Sequence, residues 1–549
     1  MRIDDFPLSS GGKGWGEWNQ QYAFSSILIS DVKIFNKASG TGDHHMGMKI
    51  LLITPPYHCG VVESAGRWAN LGFLYIAGEL RKHGHEVEIY DAMAKDHTYE
   101  DIRRRIREAR PDIVGSTAYT ATIRDATRVL ALAKSIDPRI ITIIGGIHPT
   151  MMPEETLQQG NGAIDYIVRW EGEYTTPELV DAIEGNRQLS EVKGIAYQQG
   201  GSFIATPQRE FITDLDSLTP AWDLLCWDDY YLRFLKDAKV ALVSSSRGCG
   251  NSCAFCSQHK FWQQTHRARS PHNFVEEIAY LFHRFGVNAF FIADEYPTCS
   301  RERWEAILDL LIEKDLGIYL LAETRAGDIV RDEEILFKYR KAGIIHMFIG
   351  VESADQAVLD SFKKSQTCRE CREAIRLLNE QHIITECSFI LGLPHETPQS
   401  IHKTLELAQH YNPDNPHFLM ITPWPYADMY RELKPHIEDW DYSNYNLVNP
   451  VIKPIGMSRE EVFREALSCY KKYYRAKIPQ WNDLKDEFKK NLLFKGLRAM
   501  MQNSFLRSHL SAMSAMPDEV AKGNPRVESP MIRDRVCHSC TSSNYNEQF

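Results

Sequence analysis

At 549 residues the chain is too long for one hydrophobic core and points to about three domains, while a formal charge of −10 argues against a nucleic-acid groove, which needs a basic face to release counterions. With 43% apolar and 25% charged residues it has the composition of a soluble globular protein, and its apolar runs, such as residues 140–147, fall far short of the roughly 20 residues that span a bilayer. Twelve unevenly spaced cysteines and no secretion signal suit free thiols in a reducing cytoplasm better than a disulfide framework.

Residues 1–47 are polar, Gly-rich and aperiodic, and are expected to form a disordered leader. From Met48 onward, strands are expected over 49–54, 86–91, 112–117, 140–145 and 164–168, with amphipathic helices over 71–83, 99–109, 123–135 and 153–159. Alternation of five apolar strands with helices predicts an α/β, doubly wound (Rossmann-like) parallel sheet over 48–185. Ligands of such sheets lie at the carboxyl ends of the strands. The loops there are Pro55-Pro-Tyr-His58, Ser116-Thr-Ala-Tyr-Thr120, Gly145-Gly-Ile-His-Pro-Thr150 and Glu171-Gly-Glu173. Residues 186–238, with Trp222, Trp227, Tyr230 and Tyr231, read as a connector. A second series follows, with strands over 240–245, 289–294, 318–323, 346–351, 386–391 and 417–421; six βα units over 239–455 suit a partial barrel. Residues 456–515 are helical in pattern, opened by Ser458 with Glu461 as a capping box. The polar, Pro-broken stretch 516–549 is expected to be a disordered tail.

The chemistry is concentrated in Ser246-Arg-Gly-Cys-Gly-Asn-Ser-Cys-Ala-Phe-Cys-Ser257, which follows the first strand of the second series. Cys249, Cys253 and Cys256 can cap three irons of a [4Fe–4S] cubane and leave the fourth open to an amino and carboxylate chelate. The competing reading is a structural zinc site with His259 as its fourth ligand. Location at the top of a barrel strand favours the cluster.

This Cys-x3-Cys-x-Phe-Cys motif resembles the signature of the radical S-adenosylmethionine (SAM) superfamily, with Phe255 in the aromatic position. The resemblance implies that SAM chelates the open iron and is reductively cleaved to a 5′-deoxyadenosyl radical that takes hydrogen from substrate. It also implies SAM contacts at the strand ends: Asp294 and Glu295, Arg325 for the carboxylate, and Glu352 for a ribose or amino group. The N-terminal sheet resembles the cobalamin-binding domain that precedes many such barrels, which implies cobalamin contacts at Thr117, Gly145, Gly146 and His148. The Asp-x-His-x-x-Gly motif that supplies cobalt with histidine in methionine-synthase-like domains is absent, since Asp43-His-His-Met-Gly47 has the wrong spacing. His58 and His148 therefore also read as hydrogen-bonded loop histidines.

The span from about 48 to 477 resembles the anaerobic magnesium-protoporphyrin IX monomethyl ester cyclases, through Tyr57-His-Cys-Gly60, Cys256-Ser-Gln-His-Lys-Phe-Trp262, Arg267-Ala-Arg269, Ala293-Asp-Glu-Tyr-Pro-Thr298, Thr422-Pro-Trp-Pro-Tyr426 and Tyr442-Ser-Asn-Tyr-Asn446. That resemblance implies an oxidative closure of the isocyclic ring in bacteriochlorophyll biosynthesis, with oxygen from water, cobalamin as electron acceptor, and a flavodoxin or ferredoxin as reductant. Phe261, Trp262, Trp424 and Tyr426 could stack on a macrocycle or simply pack a core. The alternative is cobalamin-dependent methyl transfer to a tetrapyrrole or other small molecule, which shares every motif. Methylthiolation of transfer RNA fits poorly, because residues 48–185 hold only Cys59. A corrinoid sensor would leave the cysteine triad unexplained. Cys368-x2-Cys371 and Cys537-x2-Cys540 have zinc-like spacing but no further ligands except His538. Cys59, Cys226, Cys299, Cys387 and Cys469 read as small apolar fillers.

Overall fold

The computed structural model describes residues 47–57, 65–235, 238–353 and 355–503. The expected leader up to residue 46, the end of the helical region, the tail, His58, Cys59, Cys537, His538 and Cys540 lie outside the described residues.

The first layer is a seven-stranded sheet of β1 (Lys49–Thr54), β2 (Glu86–Asp91), β3 (Ile113–Thr117), β4 (Ile141–Gly145), β5 (Tyr166–Val168), β6 (Ile195–Gln199) and β7 (Ser202–Ala205), in the order β2-β1-β3-β4-β5-β6-β7. The first five are parallel. Their side chains divide by period two between two cores. Leu51, Ile53 and Val114 pack toward helices Tyr99–Ala109 and Ile123–Ile136, whereas Ile50, Leu52 and Ile113 pack toward helices Leu71–Lys82 and Thr175–Ile183. Strand order reverses between β1 and β3, and the crevice of a doubly wound sheet opens at that point.

β6 and β7 lie in the stretch 186–238 expected to be a connector, and they join part of it to the first sheet. They form an antiparallel hairpin that extends the sheet beyond β5, turning at Gly200 and Gly201, both at positive φ. A two-residue Gly-Gly turn is itself a hairpin signal. The hairpin's short strands and exposed Gln198 and Gln199 obscured the alternation.

The second layer is a six-stranded, all-parallel sheet in chain order: β8 (Val240–Val243), β9 (Ala289–Ile292), β10 (Tyr319–Thr324), β11 (Ile344–Glu352), β12 (Ile384–Leu391) and β13 (Asn415–Met420). β8 and β13 are its two edges, so it is an open, partial barrel. Edge strand β13 donates Phe418 N–H to the Tyr470 hydroxyl at 3.0 Å, which uses a backbone donor an exposed edge would otherwise offer to another chain. Tyr470 lies on helix Arg459–Asn482, whose Ser458–Glu461 capping box forms with bonds of 2.8 and 3.2 Å. Helix Glu487–Asn503 follows, and Lys489 reaches buried Asp414 at 2.8 Å.

Candidate functional site

The carboxyl ends of both sheets face one cavity of about 840 Å³, within the size range of cofactor pockets. One wall comes from the β1, β3 and β4 loops, including Pro55, Thr117, Tyr119, Gly145 and Gly146. The other comes from the barrel, including Ser257, Gln258, Glu295, Trp424 and Tyr426. The cavity continues along one face of the first sheet, past Leu52, Gly115, Phe73, Ile76 and Val180, and that slot is apolar. Two glycines keep it open. A Cβ on Gly115 would stand 2.7 Å from the Leu52 side chain. Gly146 sits at φ 98°, where a Cβ would meet Ala118 O at 2.5 Å. An apolar slot under a Gly-lined mouth fits a long, bulky cofactor whose tail enters beside the sheet.

The expected cobalamin residues divide. Thr117, Gly145 and Gly146 line the cavity. His148 does not: it is 1% exposed, with Nδ1 3.1 Å from Thr120 Oγ1 and its ring edge-on to Tyr442. Burial lowers its pKa to about 4. His148 is therefore a neutral packing residue in the loop, and its assignment to cobalamin gives way. The Glu171-Gly-Glu173 loop is also not free. Arg247 donates to Glu171 and to Glu173 at 2.7 Å each, and Arg267 donates to Glu171 at 2.9 Å. These buried pairs tie the loop after β5 to the segment that enters the cysteine loop.

That loop is held from several sides. Gly248, at φ 87°, passes so close to Thr265 O that a Cβ would lie 2.2 Å from it, and its N–H donates to Glu295 at 2.9 Å. Ala254 N–H donates to Phe362 O at 2.8 Å and Phe255 packs edge-on to Phe362. Cys249, Cys253 and Cys256 are free thiols and half-buried. Cys249 Sγ accepts from Asn251 Nδ2 at 3.2 Å and Cys256 Sγ from Gln258 N at 3.4 Å, contacts of the kind that tune cluster potential. Burial pushes the Cys256 thiol up to about 11, and a bound cation reverses that preference. Three such thiols on one pinned loop fit a cluster. His259 is buried with its ring beside Asp428.

The strand-end residues expected to hold SAM separate in the same way. Asp294 is 1% exposed and accepts from Ser245 N and Oγ and from Ser246 Oγ at 2.5–2.7 Å. It fixes the root of the cysteine loop, and its assignment to SAM gives way. Glu295 lines the cavity, but its oxygens accept from Gly248 N and, at 2.6 Å, Trp262 Nε1. Burial raises its pKa. Glu352 ends β11 at φ 62°, beyond a register irregularity, and accepts from Lys364 Nζ at 2.7 Å and Ser388 Oγ at 2.8 Å. Such strained, bulged positions re-aim side chains at functional sites. Gly350 leaves room for that pair, since its Cβ would lie 2.6 Å from Lys364 Nζ. Arg325 lies over the Tyr296 ring and donates to Ser365 O at 2.6 Å. Burial lowers and Glu352 and Cys253 raise the Lys364 pKa, leaving it above the ordinary value. Lys364 escaped the sequence reading because it lies 12 residues beyond the strand end it serves.

Phe261, Trp262, Trp424 and Tyr426 all line the cavity. Among the cysteines read as fillers, Cys387 and Cys469 are buried and Cys226 is half-buried, but Cys299 is exposed, so that expectation is corrected there. Cys368 opens helix Cys368–Glu380 and Cys371 is buried on it.

Two family descriptions match the chain: a B12 binding domain over residues 57–180 and the radical SAM superfamily over 243–408. A curated relative, the anaerobic magnesium-protoporphyrin IX monomethyl ester cyclase of Rubrivivax gelatinosus, is 39% identical, covering 84% of this chain and 83% of its own. An uncharacterized methyltransferase of Pyrococcus horikoshii is 30% identical over 78% of this chain and 92% of its own. In fold, the chain is similar to the radical SAM methyltransferase TsrM of Kitasatospora setae, solved with cobalamin and a [4Fe–4S] cluster, at a TM-score of 0.62 and 16% identity, covering 78% of this chain and 89% of that one.

Proposed function

We propose a function from one premise: the chain belongs to the B12-binding radical SAM family, alongside the anaerobic magnesium-protoporphyrin IX monomethyl ester cyclases. Its reaction is oxidative closure of the isocyclic ring on the 13-propionate methyl ester of a magnesium porphyrin, with water as the oxygen source. The observation that carries this reading, beyond kinship, is the single cavity shared by the β3 and β4 loops and by Ser257 and Gln258, next to Cys256. A corrinoid in the slot and SAM at the cluster would then face each other across one space.

Cys249, Cys253 and Cys256 hold the cluster in this reading, and Arg325 and Glu352 face SAM. Thr117, Gly145 and Gly146 border the corrinoid. When bound, these groups supply a carbon radical for hydrogen abstraction and a one-electron acceptor. The protein's own work is positional. Asp294 and Glu295 fix the cysteine loop through Ser245, Ser246 and Gly248. Trp262 and Trp424 keep the shared cavity aromatic on the barrel side, which disfavours bulk water around a radical. A small reductase-fed flavodoxin or ferredoxin supplies electrons. Nine described cysteines are free thiols, which supports a reducing cytoplasm, and no helix among the described residues is long and apolar enough to cross a membrane.

Turnover of magnesium-protoporphyrin IX monomethyl ester by anaerobically reconstituted protein in heavy-oxygen water tests the reading. Ring-closed product carrying one heavy oxygen is expected. The second reading, methyl transfer, is favoured by the Pyrococcus relative's description. Labelled methyl from SAM in the product, without ring closure, would replace the first reading with the second.

A further inference from the structure

Below the rim, the barrel carries a charge cluster used by neither the cysteine loop nor the shared cavity. Glu386 on β12 is flanked by two imidazoles: His346 on β11 places Nε2 2.7 Å from Oε2, and His417 on β13 places Nε2 2.8 Å from Oε1. The pairing registers set Glu386 opposite Phe348 and Asn415, each two residues from a histidine, so all three side chains share one face. The other face of β11 and β12 is covered by helix Cys368–Glu380. Glu386 nevertheless keeps 25% of its side-chain exposure and His417 22%, so a chamber open to solvent-sized groups is inferred beside them inside the barrel.

The two imidazoles are not equivalent. His346 Nδ1 is buried with no partner, and cannot reach a ligand in the chamber. His417 Nδ1 is neither buried nor hydrogen-bonded among the described residues. With Nε2–H given to Glu386, His417 presents a lone pair at Nδ1. A carboxylate behind an imidazole is the arrangement that orients histidines toward metals. Yet no three donors here converge within 4.8 Å, unlike His85, Asp181 and Glu184 on the first layer. One well-oriented donor cannot hold a free cation, but it suits a metal whose other positions are already filled. Magnesium in a tetrapyrrole has four in-plane nitrogens and accepts an axial ligand.

We propose that His417 Nδ1 is the axial ligand of the magnesium in a metallated tetrapyrrole substrate, and that Glu386 orients it. The assignment rests on the ring-closure reading of the site. It sets the macrocycle's plane across the barrel interior and gives the protein a means to select metallated over metal-free porphyrin.

The test is binding of magnesium-protoporphyrin IX monomethyl ester and of its metal-free form to the reconstituted holoenzyme, followed by absorption and resonance Raman spectra. Wild type should prefer the magnesium form, with a five-coordinate, nitrogen-ligated signature. H417Q should lower affinity for the magnesium form about tenfold, leave the metal-free form unchanged and lose that signature; E386Q should fall between them, as loss of a supporting carboxylate does in other metal sites. H346Q should keep the signature. Unchanged iron and corrinoid content reports intact folding in each variant. If H417Q keeps both the preference and the signature, the axial assignment is overturned while the ring-closure reading stands. If wild type binds neither porphyrin, both fall.

Discussion

The two halves of the shared cavity are built on opposite principles. On the first sheet the wall is defined by what side chains leave out: Gly115, Gly145 and Gly146 open a slot between apolar neighbours. On the barrel side the carboxylates are already spoken for: Glu295 at the cavity wall, and Asp294 and Glu352 outside its lining, each accept at least two hydrogen bonds from named partners. An apolar slot admits a large cofactor through shape, with little polar commitment. A braced rim holds a few atoms in fixed geometry, as cluster and radical chemistry require. The two sites should therefore fail separately when perturbed locally, and together where strong ties such as the Arg247 ion pairs join them.

The largest expected effect breaks one half alone. Cys253→Ser should abolish the cluster and all SAM cleavage, while corrinoid uptake stays at the wild-type level; iron analysis and corrinoid extraction check this. Concurrent loss of corrinoid would show that the slot depends on the cluster loop. Next is Arg247→Ala, which takes from Glu173, 6% exposed in its side chain, the cation it pairs with and leaves Glu171, 4% exposed, with Arg267 alone. Removing one partner from a buried ion network costs about 3–5 kcal/mol, so denaturant unfolding should shift strongly and both cofactors should be lost. Gly146→Ala should cost about 1–3 kcal/mol of backbone strain, concentrated at the cavity mouth because Ala118 O lies in the way. Corrinoid retention should fall while iron content holds.

Glu323 sharpens the barrel side of the comparison. It stands on β10, half-buried, and burial first, then Glu295, Glu386 and Glu352, raises its pKa from 4.5 to about 7. A carboxyl whose folded pKa is raised binds its proton more tightly when folded, so stability declines as pH rises from the unfolded pKa through the folded one. Glu323→Gln removes that decline. Its stability advantage over wild type should be about 2 kcal/mol larger near pH 8 than near pH 5.5, read by chemical unfolding.

Legibility in the sequence follows the same division. Strands β1 and β2 fall on the expected residues, 49–54 and 86–91, because runs of six residues are too short for helices and are bounded by turn signals. The cysteine loop was legible because its three thiols lie within eight residues of each other. Arg325 and Glu352 could be picked out as strand-end charges, but their partners could not. Asp294 looks identical to a ligand-facing carboxylate in sequence, and only three dimensions show Ser245 and Ser246 folded back onto it. His148 similarly sits in a ligand loop yet turns to Thr120 and Tyr442. The Glu386 cluster was hidden because each member is an ordinary polar residue in its own strand, and period two aligns them only when register is known.

The smallest expected effect probes the seam between the halves. Thr120 Oγ1 lies 2.9 Å from the Tyr426 hydroxyl and 3.1 Å from His148 Nδ1, so one hydroxyl links the β3 loop to the barrel. Burial pushes the Tyr426 phenol up to about 12, and it remains a neutral donor or acceptor. Tyr426→Phe removes one end of this chain but leaves Thr120 its partner on His148, so no buried group is orphaned. The cost should be about 1 kcal/mol, the net worth of one such bond, with corrinoid affinity changed less than threefold. Because Tyr426 also lines the cavity, a much larger loss of corrinoid with unchanged unfolding would mean that its hydroxyl serves the cofactor directly. The slot would then be polar at its barrel side, and the contrast between a shape-defined half and a braced half would need a third, mixed surface at the seam.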